Sequence, residues 1–456
     1  MTVGAVRFLQ GGSLMQRAFR SSAFTMAGFA GSQILRLGSN LILTRLLFPE
    51  AFGLMAMVSV FLMGLNMFSD VGVGPAIMQS KRGDDRDFLN TAWTIQIMRG
   101  VLLYIVACAL AWPIAQYFGE PDLTLFLPVA AVTLVVQGLY PTRLETANRH
   151  LQAGRVTLIE LASQVVSIAT ALYLAWLLQS VWALVISGIV STLCQLLLLN
   201  LFLPGQRNRL NWEPAAAQEL ISFGKWIFLS TVCGFVIGQA DKVVIGGYLS
   251  TYDFGIYNIG YVLAALPLTL GLIVTRRVLI PIYRDSPPTE SRENFLRLRR
   301  MRVLASAALL GGAALMAFGG VWLIDLMYDS RYQLAGGIVV LVSVSQMPAL
   351  IVITYDQAAL AVGESRRYFF LAVTRAILIL TGMVFGLMFA GLPGALAGQG
   401  LALILAYPAV IWLARGVGAW DPLHDLGFFG LAVGLGGLAL WVNWPAIARL
   451  ATLVGG

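Results

Sequence analysis

Charge is what this sequence has least of. Asp, Glu, Lys and Arg make up only 11% of its 456 residues, 58% are hydrophobic, and the mean hydropathy is +0.80. A water-soluble domain of this length covers its surface with far more charge, so that class is excluded. Histidine is scarcer still, with only His150 and His424. The three cysteines, Cys108, Cys194 and Cys233, lie far apart in apolar runs. No disulfide framework or Cys/His metal cluster can be built from that set. Each cysteine reads as a small packing residue, and neither metal nor cofactor is expected. No P-loop pattern occurs, which argues against ATP use by this chain. There is no soluble domain and no large outer loop.

What the sequence has instead is long apolar runs. A bilayer core needs about 20 apolar residues in a helix. Twelve segments meet that length: 23–47, 53–78, 89–118, 123–142, 156–178, 181–203, 221–248, 254–282, 303–327, 336–360, 369–390 and 394–414. A weaker thirteenth covers 426–442, and the tail from Pro445 reads as a half-span or the remnant of a fourteenth. The first run is too long for the core of a cleaved signal peptide, so it reads as a permanent span. The expected class is an all-α polytopic membrane protein.

The turns on one side are short: Gly119 to Asp122, Gln179-Ser180 and Gly391 to Pro393. The connections on the other side carry most of the lysines and arginines. They include Arg7, Arg17 and Arg20; Lys81, Arg82 and Arg86; Arg143, Arg149 and Arg155; Arg207, Arg209 and Lys225; the run from Arg276 to Arg302; Arg366 and Arg367; and Arg415. The positive-inside rule makes that side, and the N-terminus, cytoplasmic. It also accounts for the net charge of +8 without nucleic acid. Within the longest connection, Glu293 to Arg302 has a basic and an apolar face, and an interfacial helix on the inner leaflet is expected there.

The chain also reads as duplicated. Phe52-Gly53 matches Phe254-Gly255, Arg86 to Leu89 matches Glu293 to Leu296, and Gly154-Arg155 matches Ser365-Arg366, each about 200 positions later. The implied organisation is a cytoplasmic segment 1–22, an N-lobe 23–203, a linker 204–220, a C-lobe 221–414, and a last span and tail 415–456. Six spans per repeat is an even number, so the two halves form a parallel repeat of two six-helix lobes, with a site expected between them.

Polar residues deep in an apolar span are costly, and they mark either a pathway or a pairing. Arg36 lies about 20 Å into the first span, too deep to reach the headgroups with ease. Ser32, Gln33, Arg36, Ser39 and Asn40 recur at helical spacing and form one polar stripe. Such a stripe lines an aqueous cavity; the alternative is an arginine paired with a carboxylate. In the equivalent seventh span, Gln239, Asp241 and Lys242 are cavity or rim candidates, or a simple exposed ion pair, and Asp241 is the candidate for ion coupling. Arg99 lies near mid-depth in the third span, with pathway and structural readings open. Asp70, Gly72, Gly74 and Pro75 form a candidate hinge, because glycine and proline loosen a helix. Glu160 and Arg375 sit near cytoplasmic ends. Glu145 and Asp356 sit at equivalent inner ends, as capping or ion-binding residues. Tyr257 and Tyr261 are candidates for stacking on sugar rings, or ordinary packing aromatics.

Several stretches then resemble a known family. Phe68-Ser-Asp-Val-Gly-Val-Gly-Pro-Ala-Ile-Met-Gln79 followed by a basic turn and Phe88-Leu-Asn-Thr-Ala-Trp93 resembles the second-to-third span junction of bacterial polysaccharide exporters. So do Val181 to Val185, Leu220 to Gly224, Asp241 to Gly246, Phe254 to Tyr257, Leu266-Pro267 and Pro281. The family is that of the Wzx-type oligosaccharide flippases of the multidrug/oligosaccharidyl-lipid/polysaccharide (MOP) superfamily. The resemblance implies alternating access and a cationic cavity lined by spans one, two, seven and eight. It implies transfer of undecaprenyl-pyrophosphate-linked sugar units across the bacterial inner membrane, with Arg36 meeting the pyrophosphate. It also implies a polysaccharide polymerase and a chain-length regulator as partners, with no nucleic acid. A multidrug or cation antiporter, a lipid II flippase and a polysaccharide polymerase are the alternatives. The antiporter needs deep acidic residues, and the polymerase needs a large outer loop.

Overall fold

The computed structural model describes residues 14–70, 72–150 and 152–452, all of them helical, turn or irregular. Arg7 and Val71 lie outside the described residues, as do the side chains of Arg17, Arg20, Lys225, Arg276, Arg277 and Pro281. The chain divides into two compact units. The first comprises residues up to Phe48 with Val58–Val232, and the second Pro49–Met57 with Cys233 onward.

The helices follow the apolar runs. They are α1 Leu14–Leu46, α2 Pro49–Phe68, α3 Val73–Gln79, α4 Arg86–Phe118, α5 Leu123–Gly138, α6 Arg143–Arg149, α7 Ala153–Leu178 and α8 Trp182–Phe202. There follow α9 Pro214–Gly246, α10 Thr251–Ala264, α11 Leu266–Asp285, α12 Arg292–Met327, α13 Leu334–Ala361, α14 Ser365–Leu405, α15 Tyr407–Gly416, α16 Pro422–Val442 and α17 Trp444–Ala448. Polar residues set their starts. The side chains of Asp85, Ser250, Ser291 and Asp421 accept backbone N–H groups in the first turns of α4, α10, α12 and α16. Gly119, in the left-handed region, closes α4.

Eight described helices are long and apolar enough to cross a membrane, or ten if the bent pairs α5 with α6 and α10 with the start of α11 each count as one. One of the eight is two spans by its geometry. α14 breaks at Ala390 and Gly391, where the backbone leaves the helical region. A Cβ on Gly386 would strike the Gly394 carbonyl, and one on Gly398 the Gly382 carbonyl, so the two arms run antiparallel. The turn expected at Gly391 to Pro393 is this reversal. With α1 and α9 covering the first and seventh expected spans, the chain is an all-α multi-pass membrane protein.

Lipid tails are as apolar as leucine, so helices in a bilayer hold together by close packing. Small residues provide it here. In the first unit, α4 meets α5 where Gly100 lies under the Leu134 carbonyl and Gly138 under that of Gln96. α1 lies on α7, with Gly28 against Thr157. In the second unit α13 is the central helix: 83% of its apolar window is buried, against 50% or less in the other spans. Within the same unit, Gly53 and Gly255 pack on each other. A Cβ on Gly53 would strike the Thr251 carbonyl, and one on Gly255 that of Pro49. These are the two glycines of the repeated Phe-Gly pair.

One expectation fails. The stretch Glu293 to Arg302 is not a separate interfacial helix. Ser291 caps α12, which runs 36 residues without a break to Met327. Leu298 and Arg302 are buried in the second unit. Arg302 donates to the hydroxyls of Tyr283, at 2.8 Å, and Tyr355, at 3.4 Å. Those partners lie far away in sequence, so the local basic pattern could not disclose them.

Candidate functional site

In the first unit the polar stripe of α1 has the geometry its spacing implies. At 100° per residue, Gln33, Arg36 and Asn40 share one face, and Ile34, 71% exposed, lies opposite. Arg36 is exposed and enters none of the ion pairs among the described residues. Ser39 is buried, and its hydroxyl donates to the Arg36 carbonyl at 3.0 Å. Gln164 of α7 donates to the Ser32 carbonyl at 3.0 Å and fixes the helix at that depth. The Gln33 Nε2 is buried and has no hydrogen-bond acceptor among the described residues. A guanidinium left open beside an amide donor can take an anion. A salt-bridged one has less to offer.

Arg99 is placed differently. Its Nε donates to Ser69 Oγ at 2.9 Å, and its Nη2 to the Asn66 carbonyl at 2.6 Å and Asn66 Oδ1 at 3.2 Å. It therefore ties off the C-terminal end of α2, where carbonyls lack helical partners. That end is the expected hinge. Asp70 Oδ1 accepts the Gly72 N–H at 2.8 Å, Gly72 is left-handed at φ 64°, and α3 starts directly after it with Gly74 and Pro75 in its first turn. A Cβ on Gly74 would lie 3.1 Å from the Glu145 carboxyl carbon, so glycine leaves room for that acid. Arg149 of α6 closes α3 by donating to the carbonyls of Ile77, at 2.8 Å, and Ser80, at 2.7 Å. Two arginines thus pin the short helix between two breaks.

The basic turn after α3 is held by ion pairs. Arg82 Nη2 lies 2.6 Å from Asp85 Oδ2 and 2.7 Å from Glu213 Oε2. The Arg82 guanidinium, and after it the Asp87 N–H, hold the Asp85 carboxyl below its ordinary range.

In the second unit five predicted residues come together. Asp241 of α9 is 3% exposed and accepts the Tyr257 hydroxyl at 2.8 Å. Lys242 Nζ stands 4.0 Å from the same carboxylate oxygen, 2.9 Å from Gln239 Oε1, and 4.4 Å from the centre of the Tyr261 ring. Tyr257 and Tyr261 pack ring to ring at 5.9 Å. Tyr257 has no exposed surface, so here its hydroxyl serves Asp241. Asp241 is a buried acid that meets one phenol and one ammonium. Asp356 and Arg375 pair with each other at 2.6 Å.

Residues that spacing did not single out form a further, mostly buried polar group in the second unit. They are Tyr283, Arg302, Tyr355, Tyr407, Asp421, His424 and Asp425. One signal is present in the sequence: His424 sits beside Asp425, just after Asp421-Pro422.

Comparison with known proteins gives the family and the fold. A family model described as polysaccharide biosynthesis protein matches residues 42–335. Teichuronic acid biosynthesis protein TuaB of Bacillus subtilis (strain 168) is 26% identical over 270 residues, which are 56% of this chain and 54% of that protein. Lipopolysaccharide biosynthesis protein WzxC of Escherichia coli (strain K12) is 22% identical over 277 residues, 59% of this chain and 56% of that one. The chain thus spans about half the length of these curated relatives. An inward-facing multidrug resistance MATE family transporter of the MOP superfamily superposes with a TM-score of 0.65 at 13% identity, covering 85% of this chain and 95% of that one. The lipid II flippase MurJ, inward closed, superposes at 0.62 and 14%, covering 94% and 99%. At such identities the likeness is one of fold. By its sequence the chain belongs to the polysaccharide biosynthesis protein family, and it carries that family on the transporter fold of the MOP superfamily.

Proposed function

We propose that this protein is a transporter, not an enzyme, that flips undecaprenyl-pyrophosphate-linked oligosaccharide units from the inner to the outer leaflet of the bacterial inner membrane. It works by alternating access, with its N-terminus in the cytoplasm. The observation that carries the proposal is Arg36, an exposed arginine well inside the long helix α1 and outside every ion pair among the described residues. A neutral or cationic cargo gives such a charge no role. A pyrophosphate accepts two parallel hydrogen bonds from it, strengthened by low dielectric. Gln33 and Asn40 on the same face supply amide donors, and the break at Asp70 and Gly72 supplies the flexure. Asp241 is the candidate for ion coupling. Lys242, Gln239 and Tyr261 are candidates for contact with the headgroup. A multidrug or cation antiporter needs an acidic residue open to its cargo, and Asp241 is closed by Tyr257 and Lys242. Family membership and the names of the relatives support a role in building a cell-surface polysaccharide, alongside a polymerase and a chain-length regulator.

The test is leaflet sidedness in cells lacking the gene. Lipid-linked oligosaccharide is expected to accumulate on the inner leaflet and to be cleared by wild type. Unchanged sidedness in the deletion strain, with no redundant exporter, would refute the proposal.

A further inference from the structure

A cavity of about 170 Å³ lies within the first unit, among the connections that carry the arginines. A water needs about 10–15 Å³ of such space, so a tetrahedral anion fits together with several waters. Asp84 of the turn before α4, Asn90 of α4, Thr142 and Arg143 at the start of α6, and Gly205 and Asn208 of the connection from α8 to α9 line it. Arg143 is 9% exposed. Its Nη1 donates to the Leu203 carbonyl at 2.9 Å and its Nη2 to Asn200 Oδ1 at 3.1 Å, while its Nε has no acceptor among the described residues. Both acceptors are neutral. Gly205, at φ 141°, lies against the stem of this arginine, where a Cβ would come 3.0 Å from the Arg143 Cβ. A buried guanidinium with no counter-charge is costly, and a bound anion removes that cost.

The charge count around the cavity is positive. Asp84 is the acid of the wall, and Arg149, at 3.4 Å, and His150, at 3.0 Å, already meet it. Neither Arg143 nor Arg207 enters an ion pair among the described residues. Arg207 is close enough to act on Arg143 through its charge. Two cations are therefore left without an acid. The neutral wall residues offer donors, because their acceptors are taken. Asn90 Oδ1 accepts the Arg209 N–H, and Asn208 Oδ1 the Thr142 N–H, both at 3.0 Å. Asn208 Nδ2 donates to Thr142 Oγ1 at 2.7 Å, which leaves the Thr142 hydroxyl hydrogen to be given elsewhere. Asn90 is 5% exposed, and its Nδ2 donates to no group among the described residues.

We propose that this cavity binds a phosphate-class anion, with Arg143, Asn90 and Thr142 as donors and Arg207 as a second positive charge. A guanidinium and neutral N–H and O–H groups are the set that recognises phosphate oxygens. A soluble phosphate and the headgroup of an anionic phospholipid share that chemistry. The site is distinct from Arg36, because α1 contributes nothing to its wall. A bound anion ties α4, α6 and the α8–α9 connection together.

This inference stands apart from the flippase proposal, and its test needs no transport substrate. Thermal unfolding of the purified full chain in maltoside micelles is followed by tryptophan fluorescence at constant ionic strength. One arm exchanges potassium chloride for potassium phosphate. The other adds dihexanoyl phosphatidylglycerol, with dihexanoyl phosphatidylcholine as reference. A saturable rise in the midpoint is expected in at least one arm. A rise with phosphate assigns a soluble ligand, and a rise with phosphatidylglycerol alone assigns a lipid headgroup. Arg207→Gln, at an exposed residue, is expected to raise the half-saturating concentration about threefold. Asn90→Asp keeps the acceptor for the Arg209 N–H and sets a carboxylate in the wall, and is expected to raise that concentration at least about tenfold. Arg284→Gln, which removes an exposed cation from the second unit, is expected to leave it unchanged. No saturable rise in either arm overturns the inference. So does a rise that Arg207→Gln leaves as unaltered as Arg284→Gln does, and that comparison holds even if Asn90→Asp fails to fold.

Discussion

Replacing Tyr257 by Phe deletes one oxygen from the interior of the second unit. Asp241 is 3% exposed, and the Tyr257 hydroxyl, at 2.8 Å, is the hydrogen-bond donor to its side chain among the described residues. The other partner, Lys242, stands at 4.0 Å, the outer limit of an ion pair. A hydrogen bond to a charged group is worth about 1.5–3 kcal/mol. Interhelical hydrogen bonds in membrane proteins average only about 0.6 kcal/mol, with a ceiling near 1.7. A buried carboxyl acceptor belongs at the upper end of the membrane range. Tyr257→Phe is therefore expected to cost about 1.5 kcal/mol, close to a tenfold shift in the unfolding equilibrium. Unfolding by sodium dodecyl sulfate in maltoside micelles, followed by circular dichroism, measures it. Tyr261→Phe is the control. It keeps the ring 4.4 Å from the Lys242 Nζ and loses a hydroxyl that makes no hydrogen bond among the described residues. Its cost is expected to stay under about 0.5 kcal/mol. Equal effects of the two variants would refute the assignment of Tyr257 as the partner that holds Asp241.

Other substitutions separate structure from passage. Gly255→Val drives a branched carbon toward the Pro49 carbonyl, and backbone cannot yield as a side chain does. About 3 kcal/mol or more is expected, whereas Gly238→Ala, with open space around it, is expected to be neutral. Arg99→Gln strips the end of α2 and is expected to cost about 2 kcal/mol in the same unfolding assay. Arg36→Gln is expected to leave stability within about 0.5 kcal/mol. The folded-state pKa of Asp85 lies below its unfolded value. Its stabilisation is therefore complete at neutral pH and fades only as pH falls through the ordinary carboxylate range toward that lower value. Asp85→Asn, which keeps the cap and loses the ion pair, is expected to flatten acid unfolding over that window.

The spans, the helix break at Asp70 and Gly72 and the polar face of α1 were legible because each is a local pattern. Apolar length gave the helices, Gly72 and Pro75 gave the break, and a 3.6-residue period gave the face of Arg36. The Asp241 cluster was legible residue by residue, but its closure was not, because Tyr257 meets Asp241 across two helices. Arg99 was ambiguous for the same reason: its partners Asn66 and Ser69 lie on another helix. The interfacial helix was misread because burial of Arg302 depends on Tyr283 and Tyr355, which no local window contains. His424 was seen only as a rare residue, since its polar group is assembled from four other helices.

The central claim is that Arg36 handles the pyrophosphate of a lipid-linked sugar. The most direct measurement is transbilayer movement of undecaprenyl-pyrophosphate-linked oligosaccharide in proteoliposomes, read by its accessibility to an external glycosidase. Wild type is predicted to expose the inner-leaflet pool, and Arg36→Gln, equally stable in detergent, to leave it protected. Equal exposure by both proteins, or protection with both, would contradict the account.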